Sequence, residues 1–186
     1  MKISAVLLAG GKSRRMGQDK AAILFRNTPL WQIQLDLLRK LQLHELFLSA
    51  QFDPPWRPAE VEFVPDDQPS RGPLSGIAAA LSRISSGHLL ALAIDMPFMS
   101  ESYLRNLCER IEPGVGVVPL IENRAEPLTA IYPCGAHDHA MSALSGSDFS
   151  LQSLVGKLIA AGKLEPIQVS EKEKAFFRNL NEPADL

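Results

Sequence analysis

The residues able to do chemistry in this 186-residue chain gather first behind one short apolar run. Gly10 and Gly11 follow "ISAVLLA", and Lys12, Arg14, Arg15 and Lys20 then place four cations in nine residues, opposed only by Asp19. Paired glycines let a backbone approach a ligand closely, with its amide N–H groups turned outward to donate. Arginine adds forked donors for phosphate oxygens, and lysine adds a mobile point charge. The combination points to a polyphosphate ligand; a solvated basic loop is the competing reading. Gly11-Lys12-Ser13 looks like the end of a P-loop, but that motif needs glycine at residue 6, where Val6 stands inside the apolar run. A G-x-G-x-x-G fingerprint fails too, because the next glycine is Gly17.

Asp95 is the second such position. It ends "HLLALAI" (88–94), the most apolar stretch of the chain, and Met96-Pro97 follows it. Mg²⁺ takes one or two carboxylates and completes its shell with substrate phosphates and water, so Asp95 is the expected metal ligand. Its alternative role is a cap for the segment after Pro97. Loop and carboxylate together favour metal-assisted phosphate chemistry. The histidines are expected to be bland: His44 and His88 flank strands at the surface, while His137 and His139 lie two apart on a helix and share no face. Trp31 and Trp56 are expected to pack.

The elements that must position these groups alternate along the chain. "ISAVLL" (3–8) is continuously apolar, as a strand covered on both faces is. Thr28 is expected to cap a helix with Pro29 at its first position, and Leu30, Ile33, Leu37, Leu38 and Leu41 fall on one helical face. "LFLSA" (46–50) and "VEFV" (61–64) read as strands around the loop "DPPWRP". "GPLSG" (72–76) interrupts the pattern before a second helix, "IAAALSRI". "HLLALAI" is a strand, and Ser100-Glu101 starts a third helix with Leu104, Leu107 and Ile111 inward. "GVGVVPL" (114–120) and "EPLTAIY" (126–132) read as strands, 150–161 as a helix, and "FFRNLNEP" (176–183) as a last strand running into a turn. Strands interleaved with helices imply a mostly parallel, three-layer α/β/α sandwich in one domain, 1–186. Ligands of such sheets sit beyond the carboxyl ends of the strands, which gathers 9–20, 66–76 and Asp95 at one edge.

Composition narrows the function classes. With 46% apolar residues, 22% charged residues and a net charge of −2, the chain exerts no long-range pull on nucleic acid or anionic membrane. Cys108 and Cys134, 25 intervening residues apart, form no zinc or redox motif and suit a reducing compartment. The run after Lys2 falls short of the roughly 20 residues of a membrane helix. It also leads into a basic flank unlike that of an export signal, so a cytoplasmic protein is expected.

"LLAGGKSRRMGQDK" resembles the L-A-G-G-x-S-x-R-M-G-x-x-K signature of the molybdenum cofactor guanylyltransferases, which are nucleotidyltransferases of Rossmann-like fold. "TPLWQ" (28–32) resembles that family's helix entry, "GPLSG" its G-P-L-x-G turn and "DMPF" (95–98) its D-x-P-[FY] strand end. "EPLTAIY" is similar to its E-P-L-x-A-x-Y segment, and "NLNEPADL" (179–186) to its N-x-N-T-P-E-D-L close. The resemblance runs in order from residue 5 to the last residue.

It implies transfer of GMP from GTP to the terminal phosphate of molybdopterin, or of its molybdenum-loaded form, with release of pyrophosphate. A mostly parallel sheet of the nucleotide-diphospho-sugar transferase type is implied, with a nucleotide half of about 1–100 and an acceptor half of about 101–186. Leu8, Ala9, Gly10 and Gly11 would contact guanine and ribose through their backbone, Lys20 the phosphates, and Asp95 Mg²⁺. Asp66, with Asp67 adjacent, matches the family's nucleotide-contacting Asp, and Ser49 stands where the family often has Asn. Arg15, Lys20 and Asp95 would neutralise charge during transfer. Arg124, Glu126, Pro127, Asn179 and Asn181 are the acceptor-side candidates. Other proteins of molybdenum cofactor biosynthesis and the recipient molybdoenzymes are the implied partners.

Glu182 departs from the guanylyltransferase pattern at its threonine position; related cytidylyltransferases usually carry L-A-A-G and often D-x-D-T-P, where this chain has Leu8-Ala9-Gly10-Gly11, Asn179 and Asn181. Those differences favour guanine. A CTP-dependent molybdopterin cytidylyltransferase or another small nucleotidyltransferase of the same fold is the alternative, and a non-catalytic nucleotide-binding module is a second.

Overall fold

β1 (Ile3–Leu8) is buried at every position, and the rest of the chain is laid out around it. The computed structural model describes residues 1–10, 20–66 and 70–180. A short 3-10 turn, Lys20–Ala22, leads to a hairpin of β2 (Leu24–Phe25) and β3 (Thr28–Pro29), then α1 (Leu30–Lys40), β4 (Leu46–Ala50) and β5 (Glu62–Pro65). α2 (Pro73–Leu81), β6 (His88–Ala93), α3 (Glu101–Glu109), β7 (Gly116–Ile121) and β8 (Arg124–Ala125) follow. A 3-10 turn, Pro127–Thr129, precedes β9 (Ile131–Pro133); a second, Cys134–Ala136, precedes α4 (His137–Ser145). α5 (Leu151–Ala160), β10 (Leu164–Gln168) and a last 3-10 turn, Lys174–Phe177, complete the order.

The main sheet runs β10-β7-β9-β6-β1-β4-β5, with β8 paired to β7. β1 is parallel to both neighbours, Leu7 standing opposite Leu48 of β4 and Leu92 of β6. β5 continues the same direction beyond β4, and β7 and β10 are parallel to each other. β9 alone reverses between β6 and β7, so β7 and β10 keep the direction of β1. Side chains alternate across the sheet into two apolar layers. Ala5, Leu7, Leu48, Leu90 and Leu92 pack under Leu30, Leu35 and Leu38 of α1 and Leu104 and Leu107 of α3. Val6, Leu8, Phe47, Leu89 and Ala91 pack under Leu74 and Ile77 of α2, Ala140 of α4 and Leu154 and Leu158 of α5. The result is the three-layer, mostly parallel α/β/α sandwich that the strand–helix alternation predicts. Among the described residues, no helix is long and apolar enough to cross a membrane.

Several local expectations are corrected. Thr28 does not cap α1; it pairs with Phe25 in the small hairpin, and Pro29 is the N-cap residue with no side-chain cap. The hairpin turn, Arg26 and Asn27, has positive φ at both residues (50° and 65°), the geometry of a tight two-residue connection. "GPLSG" does not precede the second helix but starts it: Gly72 holds φ 69° at the N-cap, and Pro73 opens α2. Residues 126–132 are a 3-10 turn followed by the antiparallel β9, because Tyr132 donates its hydroxyl to the Pro127 carbonyl at 2.8 Å and folds the segment back. The last strand is β10, and 174–177 is a 3-10 turn; the alternation of β10 was obscured by its outward Glu165, Pro166 and Gln168. His88 is not at the surface: it is 2% exposed, with Nε2 donating to the Val115 carbonyl at 3.1 Å. Trp31 and Trp56 do pack, stacked with centroids 5.4 Å apart.

Two predictions follow from this packing. α2 crosses the strand ends so closely that a Cβ at Gly76 would stand 2.5 Å from Ser49 Oγ and 2.8 Å from Leu8 Cδ2. Gly76→Ala is expected to lower unfolding free energy by about 1–3 kcal/mol in urea titration, the usual range for overpacking. Burial lowers the pKa of His88, with its hydrogen bond to Val115 opposing. The unfolded imidazole, near 6.5, then binds more protons than the native one, so stability present above that value is lost as pH falls. Unfolding free energy is expected to drop between about pH 7.5 and about pH 5, and to drop less in His88→Gln.

Candidate active site

Because β1, β4, β5, β6 and β7 share a direction, their carboxyl ends lie along one edge. The chain steps from β1 outward to β4 and β5, then returns to lay β6 on the other flank of β1. The crevice of such a sheet opens where the order reverses, here between the ends of β1 and β6. Gly10 follows β1, Asp66 follows β5 and Asp95 lies just beyond β6. The Ile94 amide donates to the Leu8 carbonyl at 3.2 Å, and the Ala9 amide to the Ser49 carbonyl at 2.9 Å, which extends the ladder past the strands and fixes the turn that carries Gly10.

Lys20 and Asp95 meet in this crevice. Lys20 Nζ donates to Asp95 Oδ2 at 2.6 Å across 75 residues of sequence, with side chains 23% and 20% exposed. The pair is dry enough for a strong charge-assisted bond and open enough to exchange partners. At the same strand ends lies a polar cluster built on Asp66. Ser49 Oγ donates to Asp66 Oδ1 at 2.6 Å and Ser70 Oγ to Oδ2 at 3.2 Å. A Cβ at Gly10 would stand 2.8 Å from Asp66 Oδ2, so only glycine lets that carboxylate lie against the turn. Gly76, tight on Ser49 and Leu8, holds α2 against the same strand ends. Sequence reasoning noted "GPLSG" without giving Gly76 this task, and no pattern pointed to Ser70.

The acceptor-side candidates reach the same edge by other routes. Glu122 and Asn123 have positive φ (49° and 66°) and turn β7 into β8, which presents Arg124 to solvent. Glu126 is anchored by its amide on the Pro119 carbonyl at 2.9 Å; burial raises its pKa while Arg124 opposes. Pro127 is buried and serves the fold by accepting the Tyr132 hydroxyl. Thr129 Oγ1 donates to Met96 Sδ at 3.4 Å, tying that turn to the residue after Asp95. Asn179 is exposed, and the Leu180 amide beside it donates to the Asp95 carbonyl at 2.9 Å. Gly11, Arg15, Asp67 and Asn181 lie outside the described residues. All described histidines keep to the opposite edge: His44 donates its amide to the Ile3 carbonyl, His88 starts β6, and His137 and His139 open α4 after Cys134 has bonded Gly87.

The arrangement can hold a polyanion: a glycine turn, a cation and a carboxylate able to share a further cation, all at a strand-end crevice. Comparisons with known proteins give the family and the fold. The chain is 32% identical over 186 residues to the probable molybdenum cofactor guanylyltransferase of Opitutus terrae, covering 98% of this chain and 92% of that one. It is 30% identical over 202 residues to the protein of the same name in Methanothermobacter thermautotrophicus, covering 98% and 96%. Among solved structures, it shares its fold with the molybdopterin-guanine dinucleotide biosynthesis protein A of Archaeoglobus fulgidus, at TM-score 0.77 and 23% identity over 98% and 94% of the two chains. The 2-C-methyl-D-erythritol 4-phosphate cytidylyltransferase of Thermus thermophilus gives TM-score 0.72 at 15% identity over 100% and 95%. The family model for the MobA-like NTP transferase domain matches residues 5–161, from the glycine turn through Asp66 and Asp95 to the end of α5, and this chain belongs to that family.

Proposed function

We propose that the protein transfers GMP from GTP to the terminal phosphate of molybdopterin or its molybdenum-loaded form, releasing pyrophosphate. The observation that carries this reading is the Lys20–Asp95 pair, with the Gly10–Asp66 cluster at the same strand ends, at the reversal of a parallel sheet whose relatives are named for that activity. An acceptor phosphate oxygen attacks the α-phosphorus; the bond from that phosphorus to the bridging oxygen breaks, and its electron pair leaves on pyrophosphate. The acceptor is already an anion, so no general base is needed, which agrees with histidines kept to the far edge. What the reaction requires is charge neutralisation and alignment.

Asp95 fits a Mg²⁺ site by its chemistry, a hard carboxylate at the crevice edge held in a salt bridge to a mobile lysine. Among the described residues no group of three or more His, Cys, Asp or Glu forms a preassembled cage, so triphosphate oxygens and water would supply the remaining ligands. The ion would polarise the phosphates and offset charge on the leaving group. Lys20, released from Asp95 by the incoming triphosphate, is the chain's own cation for those phosphates, and Arg15 is a second. Asp66, oriented by Ser49 and Ser70, is an acceptor-only group of the kind that the N–H edge of guanine can satisfy. Ser49, Gly10 and the backbone of Leu8 and Ala9 complete the base and ribose side, with Arg124, Glu126, Asn179 and Asn181 toward the acceptor. Free Cys108 and Cys134 suit the cytoplasm as the setting.

Equilibrium binding of GTP, CTP, ATP and UTP with Mg²⁺ is the deciding experiment: GTP is expected to bind most tightly, and tighter CTP binding overturns the choice of guanine. Asp95→Ala is expected to cut Mg²⁺-dependent transfer by about 10²-fold or more while far-UV circular dichroism stays unchanged. Full activity in that variant removes Asp95 from the metal role.

A further inference from the structure

Two arginines outside the proposed machinery converge on the segment behind Asp95. Phe98, three residues after Asp95, meets Phe25 edge to face with centroids 5.1 Å apart. Arg26 lies over the Phe25 ring at 5.2 Å, and Arg178 lies over the Phe98 ring at 5.1 Å. Arg178 arrives on the segment whose Leu180 amide is bonded to the Asp95 carbonyl at 2.9 Å. Cation–π seating fixes each guanidinium by its face and leaves the forked N–H donors at its rim. Both side chains are exposed, and among the described residues no carboxylate pairs with either, whereas Arg39, Arg57, Arg83 and Arg105 all have carboxylate partners. The Lys20–Asp95 pair is neutral in itself, so the guanidinium charges seated on Phe25 and Phe98 are not cancelled by it.

Arg26 carries a further sign. It holds φ 50° at the first central position of a tight hairpin, a place that Asn, Asp or Gly occupies at little cost and a long side chain does not. The touching rings join residues from distant parts of the chain, and a guanidinium fork matches the paired oxygens of a phosphate monoester dianion.

We infer that Arg26 and Arg178 form the binding site for the phosphate monoester dianion of the acceptor, holding its non-attacking oxygens beside Asp95. The inference rests on the transfer reaction proposed above, and it adds two residues and a ligand class to it. The test uses the full-length protein. Arg178→Ala and Arg26→Asn are each expected to raise the acceptor KM by about tenfold, the loss of one charge-assisted contact, with the KM for GTP unmoved. Arg178→Lys, which keeps the charge without the fork, recovers part of the loss. Arg26→Asn is expected to leave the urea midpoint equal or higher, because Asn accepts positive φ, so a raised KM there is not a folding defect.

Phenyl phosphate, titrated into protein saturated with Mg²⁺ and a non-hydrolysable GTP analogue, probes the same site without turnover. Wild type is expected to bind it, and the R26N/R178A double variant to lose that binding. Unchanged acceptor KM and unchanged phenyl phosphate binding in the folded double variant overturn the inference, as does an equal rise in the KM for GTP. Should wild type make no dinucleotide while R26N/R178A still abolishes phenyl phosphate binding, the site stands and the assigned reaction falls.

Discussion

The constraint on which the rest depends is that β1 is buried on both faces and hydrogen-bonded on both edges. Its side chains divide between two apolar layers, and its polar backbone is consumed by β4 and β6. A strand so enclosed can meet a ligand only at its ends. Parallel pairing then aligns the carboxyl ends of its neighbours with its own, so Gly10, Asp66 and Asp95, separated by as much as 85 residues of sequence, come to one crevice. The polar site needs no buried charge deep in the core, because each charged group is carried one or two residues past the last rung of the ladder.

The electrostatics of that edge follow from the same placement. Lys20 and Asp95 satisfy each other in a half-open position, where the bond is firm yet water and ligand can compete for both partners. Asp66 sits deeper, oriented by two serine hydroxyls and pressed against a glycine that no other residue could replace without displacing the carboxylate. One carboxylate is thus fixed by hydroxyls and the other by a lysine. The histidines, the residues best suited to proton transfer near neutrality, are at the other end of the strands. The charged groups that these contacts hold at this edge are instead a lysine and two carboxylates.

The second half of the chain shares both apolar layers with the first and is tied to the strand-end edge by sheet pairing and by polar contacts. β9 completes the sheet beside β6, Thr129 bonds Met96, and the Leu180 amide bonds the Asp95 carbonyl. Phe177 packs edge-on against Tyr103 of α3 with centroids 5.3 Å apart, which anchors the segment just before it reaches Asp95. Arg178 on that segment and Arg26 on the small hairpin are seated on the touching rings of Phe98 and Phe25.

The strands β1, β4 and β6 and the helices α1 and α3 are legible in the sequence, because each is long enough for its apolar period to outweigh local ambiguity. So is the expectation that a glycine turn and two strand-end carboxylates share one edge, since parallel α/β order dictates it. The short pieces are not legible. β10 shows too few inward residues, Tyr132 decides the fold of 126–132 through a bond that spacing does not reveal, and His88 reads as a surface residue until its bond to the Val115 carbonyl is seen. Nor does any local pattern pair Lys20 with Asp95, seat Ser49 on Asp66, or set Arg178 over Phe98, because those contacts join residues distant in sequence. Sequence by itself determined the layers and which residue types would meet at the edge, since hydrophobic period and strand direction are local properties. Which groups touch, and which charges stay available to a ligand, only the tertiary structure decided, because that depends on crossovers and turns that close long loops.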